Sequence, residues 1–260
     1  MKCKSIRLHI IRSLKMCMRM LVFLEDRMRW IKEKSAYFSK VEIGLWCSSV
    51  ALIMVSFCVF DRENHLTLAA SLVGVTSLIF NAKGNPIGQL LMVIFSLLYG
   101  MISYSFAYYG EMITYLGMTM PMAVFALISW VRNPYNGNRA EVKVNTIGRG
   151  ETVFMWGLTV VVTVVFYFIL AYFETENLAL STLSVTTSFV AVYLTFRRNP
   201  FFAVAYAAND LVLIGLWILA SFSDLRYVSV VVCFGAFFVN DIYGYISWQR
   251  MKLRQAEGTR

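Results

Sequence analysis

Eight apolar segments, separated by short polar stretches, follow one another from residue 43 to residue 248. An α-helix needs roughly 20 apolar residues to cross a bilayer. Runs such as 88–106 are apolar on all sides, whereas barrel strands alternate. The pattern predicts an all-α integral membrane protein with eight transmembrane helices. Their predicted bounds are 43–60, 66–81, 86–109, 112–131, 152–173, 178–196, 201–222 and 227–248.

Basic residues fall almost entirely on alternate loops between these segments. Residues 1–42 carry eleven Lys and Arg, and the loops of the same side together with the C-terminal tail bring the total to twenty-two. The loops of the other side carry two. Because cytoplasmic loops are enriched in Lys and Arg, we expect both termini in the cytoplasm. A different number of spans would mix the two groups of loops, so the charges also favour eight.

Two short motifs occur twice, at offsets of 114 and 118 residues. The repeated pairs are Asn85-Pro86 with Asn199-Pro200, and Ile128-Ser129-Trp130 with Ile246-Ser247-Trp248. In each half of the chain, the Asn-Pro pair lies between the first and second helices of a group of three, and the Ile-Ser-Trp motif lies at the end of the third helix. Two such groups run in the same direction only if one more helix returns the chain across the membrane. The sequence therefore predicts parallel three-helix repeats joined by a linker helix, a 3+1+3 arrangement that transporters use.

This arrangement divides the chain into six segments. They are a basic cytoplasmic segment (1–42), an additional transmembrane helix (43–65), the first repeat (66–131), a cytoplasmic loop with the linker helix (132–177), the second repeat (178–250) and a cytoplasmic tail (251–260). Residues 6–30 have the spacing of an amphipathic helix at the surface of an anionic leaflet. A basic tail that only sets topology explains the same residues.

Composition narrows the function. Hydrophobic residues make up 58% of the chain and charged residues 15%, whereas soluble domains have about 25% charged residues. Five cysteines without metal-ligand spacing and two histidines outside the spans give no basis for a metal site or a cofactor. No nucleotide-binding motif is present, and the net charge of +9 follows membrane topology, so no nucleic-acid partner is expected.

Four polar residues inside the spans need an explanation, because a carboxylate at a helix centre costs about 2.5–3.5 kcal/mol on insertion scales. They are Asn209, Asp210, Asn240 and Asp241. Both asparagines lie eight residues from the cytoplasmic end of their helices, about 12 Å deep. Equal depth favours a shared substrate cavity. Interhelical hydrogen bonding is the alternative, and the aspartates can instead be protonated or paired with Arg250.

Aromatic, amide and hydroxyl side chains accompany these residues at helical spacing. The candidate substrate-binding residues are Asn209, Asn240, Trp217, Tyr206, Tyr243, Gln89, Ser96, Tyr99, Asp210 and Asp241. Such groups suit a small, flat, polar molecule that is hydrogen-bonded at its edge and stacked on its face, and a cationic ring would also be attracted to them. Pro121 is expected to kink the fourth span.

The chain resembles the PnuC-type vitamin transporters. The resemblance covers roughly residues 43–250 and rests on the 3+1+3 plan, on the segment from Val239 to Trp248 and on Asn209. It implies a SWEET-like fold in a bacterial inner membrane and facilitated diffusion of nicotinamide riboside, an NAD precursor, with trapping by a cytoplasmic kinase. A homotrimer is also implied, and Asn209 and Asn240 would bind substrate. The first repeat departs from the family pattern, with Ser96 and Met122 where relatives can have asparagine.

Three other functions remain open at this point. A transporter of a thiamine-like vitamin or a sugar would use the same amide and aromatic groups. A membrane-embedded enzyme would need a cluster of acidic or histidine side chains near the interface, and both histidines lie outside the spans. A channel would need a charged ring or a selectivity filter, and neither is visible in the sequence.

Overall fold

A computed structural model of the protein describes residues 37–105 and 108–258. Eight helices in these two ranges are long and apolar enough to cross a membrane, as the sequence predicted. They are α1 (Lys40–Phe60), α2 (His65–Ala82), α3 (Pro86–Ser105), α4 (Tyr109–Arg132), α5 (Arg149–Tyr172), α6 (Leu178–Phe196), α7 (Phe202–Ser221) and α8 (Val228–Glu257). The amphipathic helix predicted over residues 6–30 lies outside the described residues.

Local hydrogen bonds explain where several helices begin. The backbone N–H of Ser39 donates to Glu42 Oε2 at 2.7 Å, and the N–H of Glu42 donates to Ser39 Oγ at 3.2 Å. This reciprocal capping box starts α1 three residues before the apolar run that defined the predicted span. Asn64 caps α2 by accepting a hydrogen bond from the backbone N–H of Thr67 at 3.1 Å.

The fourth helix is interrupted where Pro121 was expected to kink it. Residues Tyr115–Thr119 form one turn of π-helix, and the backbone N–H of Met120 donates to the carbonyl of Tyr115, five residues back. Proline has no N–H to continue the α-helical pattern, so the preceding turn widens. The irregularity therefore lies one turn before the proline.

The eighth helix runs nine residues past its predicted end at 248. Its last turns contact a hairpin of two strands, β1 (Pro134–Tyr135) and β2 (Asn138–Val142). Gln255 Nε2 donates to the carbonyl of Val142 at 3.0 Å, and Gln255 Oε1 accepts from the N–H of Val144 at 2.8 Å. Arg254 forms an ion pair with Glu141 at 2.6 Å. These polar contacts stabilise a helical extension that hydrophobicity alone does not reveal.

The described residues from Trp46 onward form one compact part of the chain. Within it, six helices contact each other in a closed ring in the order α2, α3, α4, α6, α7, α8, and α8 returns to α2. Helix α5 packs against α6. Gly74 allows α2 and α8 to approach closely, because a Cβ at this position would lie 2.3 Å from the ring of Phe237.

Loops from different helices meet at each end of the ring. At one end, the N–H of Val142 donates to the carbonyl of Gly84 at 2.9 Å, and the N–H of Asn145 donates to the carbonyl of Arg198 at 3.0 Å. We call this the basic end, because these loops carry the basic clusters seen in the sequence. The α3–α4, α5–α6 and α7–α8 loops meet at the other end, called the acidic end, which carries Glu174, Glu176 and Asp224.

Candidate functional site

Two tryptophans close the basic end of the ring. Trp130 on α4 and Trp248 on α8 are fully buried, and their ring centroids lie 5.3 Å apart. Trp130 Nε1 donates to the carbonyl of Thr195 at 2.9 Å, and Trp248 Nε1 donates to the carbonyl of Asn81 at 2.7 Å. Phe202 packs edge-on against Trp248. Each indole therefore caps the last turn of a helix from the other group of three.

The serines that precede these tryptophans also donate hydrogen bonds from one group of three helices to the other. Ser129 Oγ donates to the carbonyl of Phe196 at 2.9 Å, and Ser247 Oγ donates to the carbonyl of Ala82 at 2.7 Å. The carbonyls of Ala82 and Phe196, at the ends of α2 and α6, have no N–H donor within their own helices. The repeated motif Ile-Ser-Trp thus supplies the donors that these helix ends need.

The repeated Asn-Pro motif also has the same geometry in both places. Asn85 Oδ1 accepts from the backbone N–H two residues ahead at 2.9 Å, and Asn199 Oδ1 does so at 3.0 Å. The residue before each asparagine is left-handed, with φ of +64° at Gly84 and +56° at Arg198. Both turns therefore reverse the chain in the same way.

Asn209 lies on α7 about 10 Å from the start of that helix. Its Oδ1 accepts hydrogen bonds from three hydroxyls of α6, at 2.8 Å from Thr187, 3.0 Å from Ser188 and 3.4 Å from Ser184. No hydrogen bond within the described ranges uses its amide nitrogen. The oxygen therefore joins α6 to α7, and the nitrogen retains its two donors for another group.

Asn240 on α8 shows the opposite pattern. Its Nδ2 donates to Ser49 Oγ at 2.9 Å and to the carbonyl of Ala236 at 2.7 Å. Its Oδ1 is buried and has no hydrogen-bond partner among the residues that the structure describes. An unpaired buried amide oxygen is costly, so this atom is available to accept a hydrogen bond.

The two aspartates lie close to each other. Asp210 and Asp241 are buried on neighbouring helices, and their carboxyl groups interact electrostatically. Oδ2 of Asp210 has no hydrogen-bond partner among the described residues. No ion pair joins either carboxyl group to Arg250 in that part of the chain, and their protonation stays a prediction. The phenol of Tyr206 lies beside both carboxyl groups.

Nearer the acidic end, the interior is lined by aromatic rings. Tyr99 on α3 lies 4.3 Å from Tyr115 and 6.3 Å from Trp217 between ring centroids, and Trp217 lies 5.1 Å from Tyr108. Tyr99 and Trp217 are buried, and the phenol of Tyr99 lies next to the indole N–H of Trp217. Tyrosine and tryptophan combine an apolar face with a polar tip, which suits a flat polar ligand. We call this region the aromatic chamber (Tyr99, Tyr108, Tyr115, Trp217).

Glu111 also belongs to this region and was not among the residues predicted from the sequence. It lies in the first turn of α4, only 2% exposed, and interacts electrostatically with Tyr99 and Tyr115. Its Oε2 has no partner among the described residues. The predicted span began at residue 112, which left Glu111 in a loop. A carboxylate one residue outside an apolar run was the only available signal.

Three other predicted site residues lie elsewhere or are already engaged. Gln89 is in the first turn of α3, at the basic end, and its Nε2 donates to Asn81 Oδ1 at 2.8 Å. Ser96 Oγ donates to the carbonyl of Met92 on its own helix at 2.8 Å. Tyr243 is half-buried on α8. The structure thus brings Asp210, Asp241 and Tyr206 close together, and it places Tyr99 beside Trp217. The Asn209 amide bonds to α6, and the Asn240 amide bonds to α1 and to its own helix.

A cavity of about 410 Å³ opens at the acidic end beside the aromatic chamber. Its walls are Tyr108, Tyr109, Phe173, Glu174, Thr175, Glu176, Ser223, Asp224 and Tyr227. Hydrogen bonds from Arg226 hold the pKa of Asp224 below its usual value, so this carboxyl is ionised at neutral pH. Because Tyr108 and Tyr227 also contact Trp217, this cavity adjoins the chamber.

Comparison with known proteins gives concordant matches. A family model described as nicotinamide mononucleotide transporter matches residues 64–250. The nicotinamide riboside transporter PnuC of Neisseria mucosa is 25% identical over 233 residues, which is 85% of this chain and 88% of that protein. The protein of the same name from Haemophilus influenzae is 22% identical over 210 residues, 81% of this chain and 90% of that protein. A crystal structure of the vitamin B3 transporter PnuC aligns with a TM-score of 0.73 at 24% identity, over 84% of this chain and 94% of that one.

Proposed function

Because the chain belongs to the nicotinamide mononucleotide transporter family, we propose that it carries nicotinamide riboside across a bacterial inner membrane. The family consists of transporters and not of enzymes. Its model is described by the mononucleotide, whereas the two curated relatives carry the name of the riboside. The two candidate cargoes therefore differ in one group, the phosphate.

The charge of the interior favours the riboside. Among the described residues, every buried side chain that can carry a charge is acidic, and no Lys or Arg is buried. A phosphate group in a protein interior needs a cationic partner, most often Arg. The riboside instead carries a positive pyridinium ring and no phosphate. The absence of a buried cation in the described ranges, next to Glu111 and the aromatic chamber, is the observation that carries this choice.

The unpaired atoms match the groups of the riboside. Trp217 and Tyr99 would cover the cationic ring, as aromatic faces do for other cations, and Glu111 would offset its charge. The free donors of Asn209 and the free acceptor of Asn240 complement a hydroxyl or carboxamide edge. Asp210, Asp241 and Tyr206 lie at the same level, and Tyr243 is half-buried nearby on α8. Gln89 and Ser96 donate hydrogen bonds to other protein atoms, so each would have to break that bond before it could bind the substrate.

Transport would proceed by alternating closure of two parallel repeats. The exchanged hydrogen bonds at the basic end and the two equivalent Asn-Pro turns support the 3+1+3 arrangement, with α2–α4 and α6–α8 as repeats and α5 as linker. With the basic end in the cytoplasm, the Trp130–Trp248 pair would be the closed inner gate. Movement would be facilitated diffusion, with a cytoplasmic kinase trapping the product, and the chain would assemble as a homotrimer in the lipid bilayer.

The test is uptake of labelled riboside into liposomes that contain the purified protein. Saturable uptake is expected, with competition by unlabelled riboside and little competition by the mononucleotide, thiamine or a sugar. Asn209→Ala and Asn240→Ala should each weaken uptake several-fold, while Trp156→Phe, on the exposed face of α5, should not. Uptake that is unsaturable, or identical in the two asparagine variants and the wild type, would refute the proposal.

A further inference from the structure

A groove of about 620 Å³ runs along the outside of the six-helix ring, between α5 and the α6–α7 pair. Its floor includes Val190 and Leu194 of α6, which are nearly buried, and its rim includes Trp156 and Val204, which are 52% and 44% exposed. The groove therefore opens to the surface of the protein. It is separate from the interior residues described above, except where Thr187 reaches both.

An apolar groove along membrane-spanning helices does not stay empty, because its lining would lose dispersion contacts and no water would replace them. Eleven of its sixteen lining residues are helical, and the side chains of these are mostly apolar. In a bilayer the surrounding molecules are lipids, whose acyl chains are linear and apolar. The shape and chemistry of the groove thus match an acyl chain that lies parallel to α5.

The groove ends in a polar site at the basic end. Lys252 of α8 lines it there, and no described residue forms an ion pair or hydrogen bond with its ammonium group. Thr152 also lines this end, and its hydroxyl donates to the carbonyl of Gly148 at 3.0 Å, which leaves the oxygen free to accept. The adjacent N-terminus of α5 has no side-chain cap, and Glu151, the acidic residue of its first turn, forms an ion pair with Arg197.

We propose that this groove binds one anionic phospholipid from the leaflet at the basic end, with an acyl chain between α5 and α7 and the phosphate group beside Lys252. Charge complementarity selects the anionic headgroup, since the lysine is the only charged side chain in the lining. The acyl chain would contact Thr187, whose hydroxyl donates to Asn209 Oδ1 at 2.8 Å. Bound lipid would thereby stabilise the packing of α6 against α7 beside the interior.

The experiment measures thermal unfolding of the purified, delipidated protein in detergent, with phosphatidylglycerol or phosphatidylcholine added at equal concentration. Phosphatidylglycerol at about tenfold above its Kd should raise Tm by roughly 3 °C or more, and phosphatidylcholine should not. Lys252→Gln should remove most of this increase. Arg132→Gln, a matched change of an exposed cation at the same end but outside the groove, should retain it.

A second pair of variants tests the acyl-chain part of the site. Ala208→Phe would fill the groove from α7, and native mass spectrometry should then detect loss of the retained lipid while the Tm without lipid is unchanged or higher. Ile218→Phe, on an exposed part of the same helix, should still bind lipid. Equal Tm shifts with both lipids, or equal shifts in Lys252→Gln and wild type, would overturn the proposal. So would an Ala208→Phe protein that binds lipid normally but loses self-association, because the groove would then be a subunit interface.

Discussion

The group α2–α4 and the group α6–α8 match closely at the basic end and differ in the interior. At the basic end, each group donates an indole N–H and a serine hydroxyl to the other. In the interior, the amides and the carboxyl pair come from α7 and α8, whereas Tyr99 and Glu111 come from α3 and α4. Contacts that close the ring must fit both groups, while a single asymmetric ligand needs different partners on each side.

The two motif offsets show which residues of the two groups occupy equivalent positions in the interior. At the 118-residue offset that joins Trp130 to Trp248, Asn240 corresponds to Met122. At the 114-residue offset that joins Asn85 to Asn199, Asp210 corresponds to Ser96. The second group thus has the polar residues at positions where the first has small or apolar ones. Equivalent mutations in the two groups should therefore have equal effects at the basic end and unequal effects in the interior.

The largest expected effect is at Trp217. Trp217→Ala removes the ring that would cover the pyridinium and leaves a cavity, so riboside affinity should fall at least tenfold. Trp217→Phe keeps the packing and loses only part of the aromatic surface, and it should fall between wild type and Trp217→Ala. Binding is measured by calorimetry with the folded variants. Trp156→Ala, at an exposed ring, is the control, and equal affinity in all four proteins would exclude Trp217 from the site.

Glu111 should show the next largest effect. Glu111→Gln keeps the shape and hydrogen-bonding capacity but removes the charge, so affinity for the cationic riboside should fall by about fivefold to tenfold. Glu176→Gln removes a carboxylate from the wall of the acidic-end cavity and should change affinity by less than about twofold at physiological salt. The same calorimetric titration compares them. A larger effect at Glu176 than at Glu111 would mean that the cationic ring is recognised in the acidic-end cavity and not in the aromatic chamber.

The sequence predicts the helices and the turns well, because both depend on local patterns. Long apolar runs define eight spans, and the Asn-Pro pairs define turns that the structure contains. Features that depend on contacts between distant segments are not readable in this way. The extension of α8 to Glu257 depends on the hairpin at residues 134–142, and the burial of Glu111 depends on α3.

The candidate site was predicted in part for the same reason. Asn209, Asp210, Asn240 and Asp241 stood out because polar groups are rare inside spans, and the structure buries all four. Their common role in binding stays a prediction. Which atoms of each amide remain free was not predictable, since this depends on Ser49 in one case and on the hydroxyls of α6 in the other. The carboxyl pair required knowledge of how α7 faces α8.

Intermediate effects are expected from Trp130 and Trp248 at the basic end. Trp130→Phe and Trp248→Phe keep most of the packing but leave one carbonyl each without its indole donor, which costs about 0.6–1 kcal/mol. Tm in detergent should fall by roughly 2 °C in either variant. Because the two hydrogen bonds are equivalent, the two decreases should agree. A decrease confined to one variant would contradict the matched arrangement at the basic end.

The two left-handed turns should respond unequally to substitution, and the change at Arg198 should be the smallest of all. Gly84→Ala places a Cβ at a φ of +64°, and that atom would lie 3.1–3.2 Å from Met251 and Val142. The conformational cost alone is about 1–2 kcal/mol, so Tm should fall by roughly 2–4 °C. Arg198→Gly relieves the strain of an arginine at φ +56° but loses the hydrogen bond from its guanidinium to Ser129 Oγ, 3.0 Å long.

These opposing terms should leave the Tm of Arg198→Gly within about 1 °C of wild type, since strain relief and one hydrogen bond are each worth about 1 kcal/mol. Thermal unfolding of both variants under one set of conditions makes the comparison. Ser129→Ala removes the acceptor hydroxyl and, combined with Arg198→Gly, isolates the strain, so the double variant should be more stable than Ser129→Ala alone. If glycine at 198 destabilises as much as alanine at 84, the guanidinium contact and not the turn geometry determines stability there.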